Sequence, residues 1–177
     1  MPSVARSPDR RWSLALFVGL VAAAVLLIHA LSYLPLVYDD AYISLRYANR
    51  LLEGHGLTWT DGEAVEGYSN LLWVLACAGL GWLGMDLVHA ARALGLAGGI
   101  AAVAAFAVTY RPRNLSGSLP ALAGGLFVAL AGPIAIWCVG GLEGALVAGL
   151  LAWTIALLRP LLDKETAFTL DWMNRNA

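Results

Sequence analysis

Charged side chains are scarce in this chain. Of its 177 residues, 13% are charged and 60% are hydrophobic, whereas a soluble domain has about 25% charged and about 45–50% apolar residues. A soluble globule is therefore excluded as the leading class. The formal net charge of −1 offers no general attraction to a polyanion, which excludes nucleic-acid binding. Intrinsic disorder is excluded as well, because it requires low hydrophobicity and few aromatic residues.

Cysteine is also rare. Cys77 and Cys138 both lie in apolar runs and share no metal-binding spacing with each other or with histidine. This pattern indicates neither a zinc site nor a disulfide framework. We expect both side chains to pack as small apolar residues.

The chain contains long runs without charge instead. The 23 residues 12–34 include no Asp, Glu, Lys or Arg, and as a helix they measure roughly 34 Å, enough to cross a bilayer. A cleaved signal peptide ending near Ala30 is the alternative, although its apolar core would be longer than the usual 7–15 residues or so. Three further apolar runs predict spans, over residues 87–110, 119–139 and 142–159. The predicted fold class is an all-α integral membrane protein with about four transmembrane helices.

The apolar segment 69–85 decides the number of spans. If it crossed the membrane, the chain would have five spans, and the basic residues after the second and fourth long runs would lie outside. If it is a juxtamembrane helix, those residues share the cytoplasmic side with the N-terminal arginines, as the positive-inside rule prefers. The residues concerned are Arg6, Arg10, Arg11, Arg111, Arg113, Arg159 and Lys164. We therefore predict four spans, with residues 1–11 and the polar tail 160–177 in the cytoplasm; five spans is the alternative.

Residues 35–86 form the predicted extracytoplasmic loop, which opens with a second juxtamembrane helix over 39–54. Apolar residues recur there as one stripe, which predicts an amphipathic helix on the membrane surface. The stripe consists of Ala41, Leu45, Ala48 and Leu52. Gly54 is typical of a helix end, Asp61-Gly62 predicts a tight turn in a small hairpin, and Asn70 predicts an N-cap for the helix over 69–85.

Adjacent carboxylates, Asp39 and Asp40, open the amphipathic helix. Either could cap the free N–H groups of the first turn. One cap suffices, however, and a second carboxylate adds repulsion, which favours a functional pair acting as a base or holding a cation. Glu143 is a further candidate, because a carboxylate at the end of a span marks a functional site by default. Glu66 alone is typical of a solvated loop.

Four motifs together resemble a known family. They are Asp39-Asp40-Ala41-Tyr42-Ile43-Ser44-Leu45-Arg46-Tyr47-Ala48, Glu53-Gly54-His55-Gly56-Leu57, Val65-Glu66-Gly67-Tyr68-Ser69-Asn70-Leu71-Leu72-Trp73 and Gly141-Leu142-Glu143. The chain resembles the first extracytoplasmic loop and neighbouring helices of membrane-embedded GT-C glycosyltransferases. The resemblance is greatest to the actinobacterial terminal arabinofuranosyltransferases and more distant to protein mannosyltransferases and lipid A aminoarabinose transferases.

The resemblance implies an enzyme of the bacterial cytoplasmic membrane that acts in cell-envelope synthesis. It would transfer a sugar from a polyprenyl-phosphate donor to a hydroxyl of a glycan, lipid or protein acceptor on the outer face, with inversion. Asp39 would be the general base and Asp40 its support. The implied substrate-binding residues are Arg46, Glu66, Tyr68 and Glu143. No cofactor is certain, although Asp40 and Glu66 could hold a divalent cation.

Other interpretations stay open. The family has many more helices than four, so the resemblance predicts a fragment or truncated transferase, and activity at this length is uncertain. A non-enzymatic membrane protein, or an inactive remnant, could instead pack against a partner through glycines that allow close helix approach. These glycines are Gly98-Gly99, Gly124-Gly125, Gly140-Gly141 and Gly144. A transporter is disfavoured by the lack of charge at mid-membrane depth.

Overall fold

A computed structural model of the chain describes residues 8–62, 65–110 and 115–176, and this part is all-helical apart from turns and one isolated bridge at Thr60. The helices are α1 (Pro8–Leu31), α2 (Asp39–Leu52), α3 (Leu71–Trp82), α4 (Leu87–Thr109), α5 (Leu115–Leu130), α6 (Gly132–Val139) and α7 (Gly144–Asn176). The predicted all-α class is confirmed for these residues. Three residues named from the sequence lie outside them: Arg6, Arg111 and Arg113.

Within the described residues, three helical segments are long and apolar enough to cross a membrane. They are Trp12–Leu31, Leu87–Thr109 and Gly144–Leu161. The bent pair Leu119–Leu130 and Gly132–Val139 raises the number to four if it counts as one span. The architecture is therefore that of a multi-pass helical membrane protein with three to four candidate spans, and the described residues do not supply a fifth.

Helix α3 lies across one end of the bundle. Near its start, the Trp73 indole Nε1 donates a hydrogen bond to the Gly141 carbonyl at 3.2 Å, just before α7. Beyond its last residue a short turn leads into α4, whose Arg92 donates to the carbonyls of Leu36, after α1, and Val139, at the end of α6. Both ends of α3 thus lie at one end of the bundle, and its 12 residues leave it outside the candidate spans.

The bent pair differs from the continuous helix predicted over 119–139. The two helices meet at Ala131 with a bend of 58°. Pro133 explains the break, because proline lacks an N–H and its ring conflicts with the carbonyl four residues earlier, that of Ala129. The His29 ring nitrogen Nδ1 donates to this carbonyl at 3.1 Å. His29, for which the sequence suggested no role, therefore satisfies the acceptor that Pro133 leaves unpaired.

Glycines allow the helices to approach closely inside the chain. A Cβ added at Gly98 would lie 2.5 Å from the Ala145 carbonyl oxygen on α7, and one added at Gly95 would collide with the Cys138 backbone on α6. At the other paired glycines, the space that a Cβ would take is also filled by residues of the same chain. The contacts are Gly99 with Cys138, Gly124 with Phe106, Gly125 with Ala22, Gly140 with Tyr38 and Gly141 with Ala41. The glycine pairs that suggested a partner therefore mediate packing within the chain.

Two further features complete the fold. Cys77 and Cys138 are free and buried, as the composition predicted, and burial raises the pKa of the Cys77 thiol to about 12. Helix α7 continues through Pro160 to Asn176, whereas the sequence predicted a span ending at 159 followed by a polar tail. Lys, Glu, Ala and Leu in this tail all have high helix propensity, which favours the continuation.

Candidate functional site

Helix α2 begins at Asp39 and carries the predicted carboxylate pair. Its N-cap is Tyr38, with no capping bond from a side chain. The Asp39 carboxylate accepts a 3.0 Å hydrogen bond from the Asp40 N–H, and both residues are exposed. The Asp39 carboxylate therefore satisfies one N–H of the first turn, whereas the Asp40 carboxylate accepts no hydrogen bond from the N–H groups of that turn.

The predicted amphipathic pattern of α2 is present. Ala41, Leu45 and Ala48 are buried, whereas Leu52 at the helix end is 38% exposed. The polar face borders an open groove between α2, the following loop and the start of α4, with a volume of about 580 Å³. We call it the α2 groove; its lining residues are Asp39, Tyr42, Ile43, Leu45, Arg46, Asn49, Trp59, Leu87 and Val88.

Asp39 and Arg46 line the same groove. They are separated by two helical turns, or roughly 10 Å along the axis. The Arg46 guanidinium is held by Trp59, because Nε donates to the Trp59 carbonyl at 3.0 Å and the guanidinium carbon lies 4.9 Å from the indole ring centre. The arrangement places a carboxylate and a fixed cation along one helix face. Trp59 was not among the site residues predicted from the sequence, although a tryptophan in a polar loop is a signal that could have identified it.

Asp40 and the segment containing Glu66 and Tyr68 belong to another side of α2. One residue turns a helix by about 100°, so Asp40 points away from Asp39 and toward the side of Tyr47. The Tyr47 hydroxyl donates to the Val65 carbonyl at 2.6 Å and accepts from the Gly67 N–H at 2.9 Å. The Tyr68 ring packs edge-on against the Tyr47 ring at 4.8 Å. Tyr47 therefore holds the segment on which Glu66 lies exposed.

The predicted cation site gains no third ligand. Across the residues that the structure describes, no group of three His, Cys, Asp or Glu side chains comes together as a metal site. Asp40 and Glu66 are therefore the two protein carboxylates on which such a site would depend.

Glu143 joins the loop through Asn70. The Asn70 amide nitrogen donates to the Glu143 carboxylate at 2.7 Å, and its amide oxygen accepts from the Ser44 hydroxyl at 3.0 Å. Asn70 is the N-cap of α3 by position but makes no capping bond with its side chain, contrary to the sequence expectation. Its side chain instead connects α2 to the turn before α7. Glu143 thus lies beside the loop helices.

A clasp fixes the loop that carries Trp59. Arg50 donates through Nε to the Thr58 hydroxyl at 3.0 Å and pairs with the Asp61 carboxylate. The hydrogen bond and positive charge of Arg50 lower the pKa of Asp61, and His55, 3.7 Å from the same carboxylate, adds to the effect. Gly62 has a φ of 84°, as the predicted tight turn requires. Thr60 forms an isolated β-bridge next to this turn, and residues 63 and 64, which belong to the predicted hairpin, lie outside the described residues.

Fold and site together define a multi-pass helical membrane protein with an open groove, lined by apolar and polar side chains, at one end of its bundle. No family model, curated protein or solved structure matches the chain.

Proposed function

We propose that this chain carries the catalytic loop of a glycosyltransferase that uses a polyprenyl-phosphate sugar as donor and an acceptor hydroxyl on the outer face of the membrane. The observation that carries the proposal is the presence of Asp39 and Arg46 in one groove at the end of a bundle of apolar helices. A lipid-linked donor needs such a place, because its prenyl chain stays in the bilayer while its phosphate and sugar lie outside. The motifs that resemble GT-C enzymes support the same activity.

The chemistry assigns one role to each charged side chain of the groove. A sugar hydroxyl is a weak nucleophile at neutral pH, so Asp39 takes its proton as oxygen bonds to the anomeric carbon. The donor carbon–oxygen bond breaks at the same time, and the leaving polyprenyl phosphate keeps the electron pair. Arg46 stabilises that phosphate by charge and hydrogen bonding. Direct displacement without a covalent enzyme intermediate inverts the anomeric centre.

The other predicted residues lie outside the α2 groove and would support this centre from neighbouring positions. Asp40 adds negative charge beside the base, and Glu66 and Tyr68 lie on the segment held by Tyr47. Glu143 contributes through Asn70, which fixes α2 against α7. The acceptor can be a glycan, a lipid or a protein, since the groove is open and its walls include both apolar and polar side chains.

The test is sugar transfer in bacterial membranes containing the full chain, with radiolabelled polyprenyl-phosphate arabinofuranose as the first donor. Asp39→Asn should lower the rate by about 100-fold or more, the usual contribution of a general base. Arg46→Gln should also slow transfer and weaken donor binding. Glu53→Gln is the matched control, because this exposed carboxylate at the end of α2 contacts only Asn49 among the hydrogen bonds described. Equal rates for Asp39→Asn and Glu53→Gln would refute Asp39 as the base.

A non-enzymatic membrane protein that packs against a partner is the second candidate. The observation in its favour is α7, because only 11% of the Gly144–Leu161 segment is buried within the chain. Its exposed face includes Leu150, Leu151 and Ile155. Absence of transfer by the wild-type chain, together with co-purification of a membrane partner lost in Leu151→Ser, would favour this function over the transferase.

A further inference from the structure

A second cavity lies between α1 and α4, at the end of the bundle opposite the α2 groove. Its volume is about 240 Å³ and its lining residues are all apolar. On α1, Ala15, Gly19 and Ala23 recur every four residues and therefore share one face, and Ala104 contributes from α4. We call this cavity the α1–α4 groove. Because these small residues leave space between two apolar helices, and the rest of the lining is apolar, the groove offers a channel for a hydrocarbon chain.

The groove ends at a cationic, aromatic site. Trp12 and Val108 line this end, and the next residue of α4, Thr109, accepts a 3.0 Å hydrogen bond from Arg159 through its carbonyl. The Arg159 guanidinium also lies 5.3 Å from the centre of the Tyr110 ring. Arginine stays protonated at every physiological pH, and tryptophan and tyrosine favour the level of lipid headgroups. A positive charge thus stands beside the mouth of an apolar channel.

We propose that the α1–α4 groove binds one acyl chain of an anionic phospholipid whose phosphate lies at Arg159. Charge complementarity selects this occupant, since basic sites between transmembrane helices bind anionic headgroups. The sequence adds Arg10 and Arg11 just before Trp12, and Arg111 just after Tyr110. A second copy of the chain, packed side by side in the same direction, would bring its own Arg159 to this end, where like charges repel. The lipid site is independent of the proposed sugar transfer.

The test compares two lipids that differ only in headgroup. The full chain, purified in neutral detergent, receives phosphatidylglycerol or phosphatidylcholine with identical acyl chains. A lipid that binds only the folded chain raises Tm, and we expect a rise of roughly 5 °C for phosphatidylglycerol at saturation and a smaller one for phosphatidylcholine. Native mass spectrometry should show one retained phosphatidylglycerol. Inorganic phosphate should leave Tm unchanged, because it has no chain for the groove.

Three variants and one matched control test where the lipid binds. Ala104→Leu fills the groove and should abolish both the retained lipid and the Tm rise; Ala23→Leu does the same from α1 if the first variant does not fold. Ala148→Leu is the matched control, since it adds the same atoms to an exposed position of α7. Arg159→Gln should reduce the phosphatidylglycerol response to that of phosphatidylcholine.

Several outcomes would overturn the lipid site. Equal responses of the wild type to the two lipids would remove the role of charge. A normal phosphatidylglycerol response in both Ala104→Leu and Ala23→Leu would place the lipid elsewhere. A wild-type dimer that becomes monomeric in Ala104→Leu would show that the groove is covered by a second copy.

Discussion

At the scale of single residues, Asn70 connects parts of the chain that are far apart in sequence. Its amide pairs with both Ser44 and the partly buried Glu143. Removal of one partner leaves a polar group unsatisfied, which costs about 1–3 kcal/mol. We expect Asn70→Ala to lower the free energy of unfolding by that amount, measured by denaturant titration in detergent. Asn70→Asp should be worse, because it places a second carboxylate beside Glu143. Ser69→Ala, at the exposed neighbouring residue, is the control, and an equal effect there would contradict the prediction.

The Asp61 clasp predicts a local response to acid. Its pKa lies below the ordinary value of 3.8 because Arg50 stabilises the carboxylate, so the open loop binds protons more readily than the closed one. The Arg50–Asp61 pair therefore contributes its full stability when the pH is above the ordinary pKa of the carboxyl. That contribution is lost as the pH falls through the lowered pKa of Asp61 in the folded loop. We expect proteolysis within residues 53–62 to increase below about pH 4. Asp61→Asn should be susceptible at every pH, and an unchanged wild-type loop at about pH 2 would contradict the assignment.

At the scale of elements, the break between α5 and α6 couples two residues from different helices. His29 donates to the Ala129 carbonyl, which lacks its usual helical donor because residue 133 is proline. His29→Phe should therefore lower stability by about 1 kcal/mol, the scale of a hydrogen bond between membrane helices. In a Pro133→Ala background the N–H of residue 133 becomes available, and the cost of His29→Phe should largely disappear. A double-mutant cycle of unfolding free energies measures this coupling, and additive effects would disprove it.

Glycine-to-alanine substitution should have opposite effects on stability in α4 and in α3. An added Cβ at Gly98 would meet the backbone of Ala145 and Leu146, whereas one at Gly79 would meet nothing within 4 Å. Gly98→Ala should therefore separate α4 from α7 and destabilise the chain by about 1–3 kcal/mol. Gly79→Ala should stabilise it by about 0.5–1 kcal/mol, because alanine loses less backbone entropy in a helix. Unfolding in detergent measures both, and effects of the same sign would contradict the packing.

Periodicity and charge could predict most helices, because those signals are local. The stripe through Ala41, Leu45 and Ala48 defined α2 and its polar face, and the basic residues after the long runs predicted that α3 does not cross. The break at Ala131 could also have been predicted, since Pro133 stands inside an apolar run. The hydropathy of residues 119–139 on its own indicated one continuous helix instead. The two side-chain hydrogen bonds of Asn70 could not be predicted from the sequence, because its partners Ser44 and Glu143 are 26 and 73 residues away. Long-range side-chain pairing leaves no periodic signal.

At the scale of the whole molecule, the two ends of the bundle differ in chemistry. One end holds the α2 groove, the hydrogen bonds of Asn70, and Arg92, which donates to the carbonyls of Leu36 after α1 and Val139 at the end of α6. The other end holds Trp12, Tyr110 and Arg159. The sequence also has Arg10 and Arg11 just before Trp12, and positive charge favours the cytoplasm. This charge distribution predicts that the second end faces the cytoplasm and the α2 groove faces outward, which is the orientation that the proposed donor chemistry requires.

That orientation predicts opposite labelling of two introduced cysteines. Thr60 and Tyr110 are both exposed, one at each end, so Thr60→Cys should react with a membrane-impermeant maleimide in intact cells. Tyr110→Cys should react only after permeabilisation. The wild-type chain is the blank, because Cys77 and Cys138 are buried. The reverse result would place Asp39 and Arg46 in the cytoplasm. Transfer on the outer face would then be impossible, whereas the lipid groove at Arg159 would remain, in the opposite leaflet.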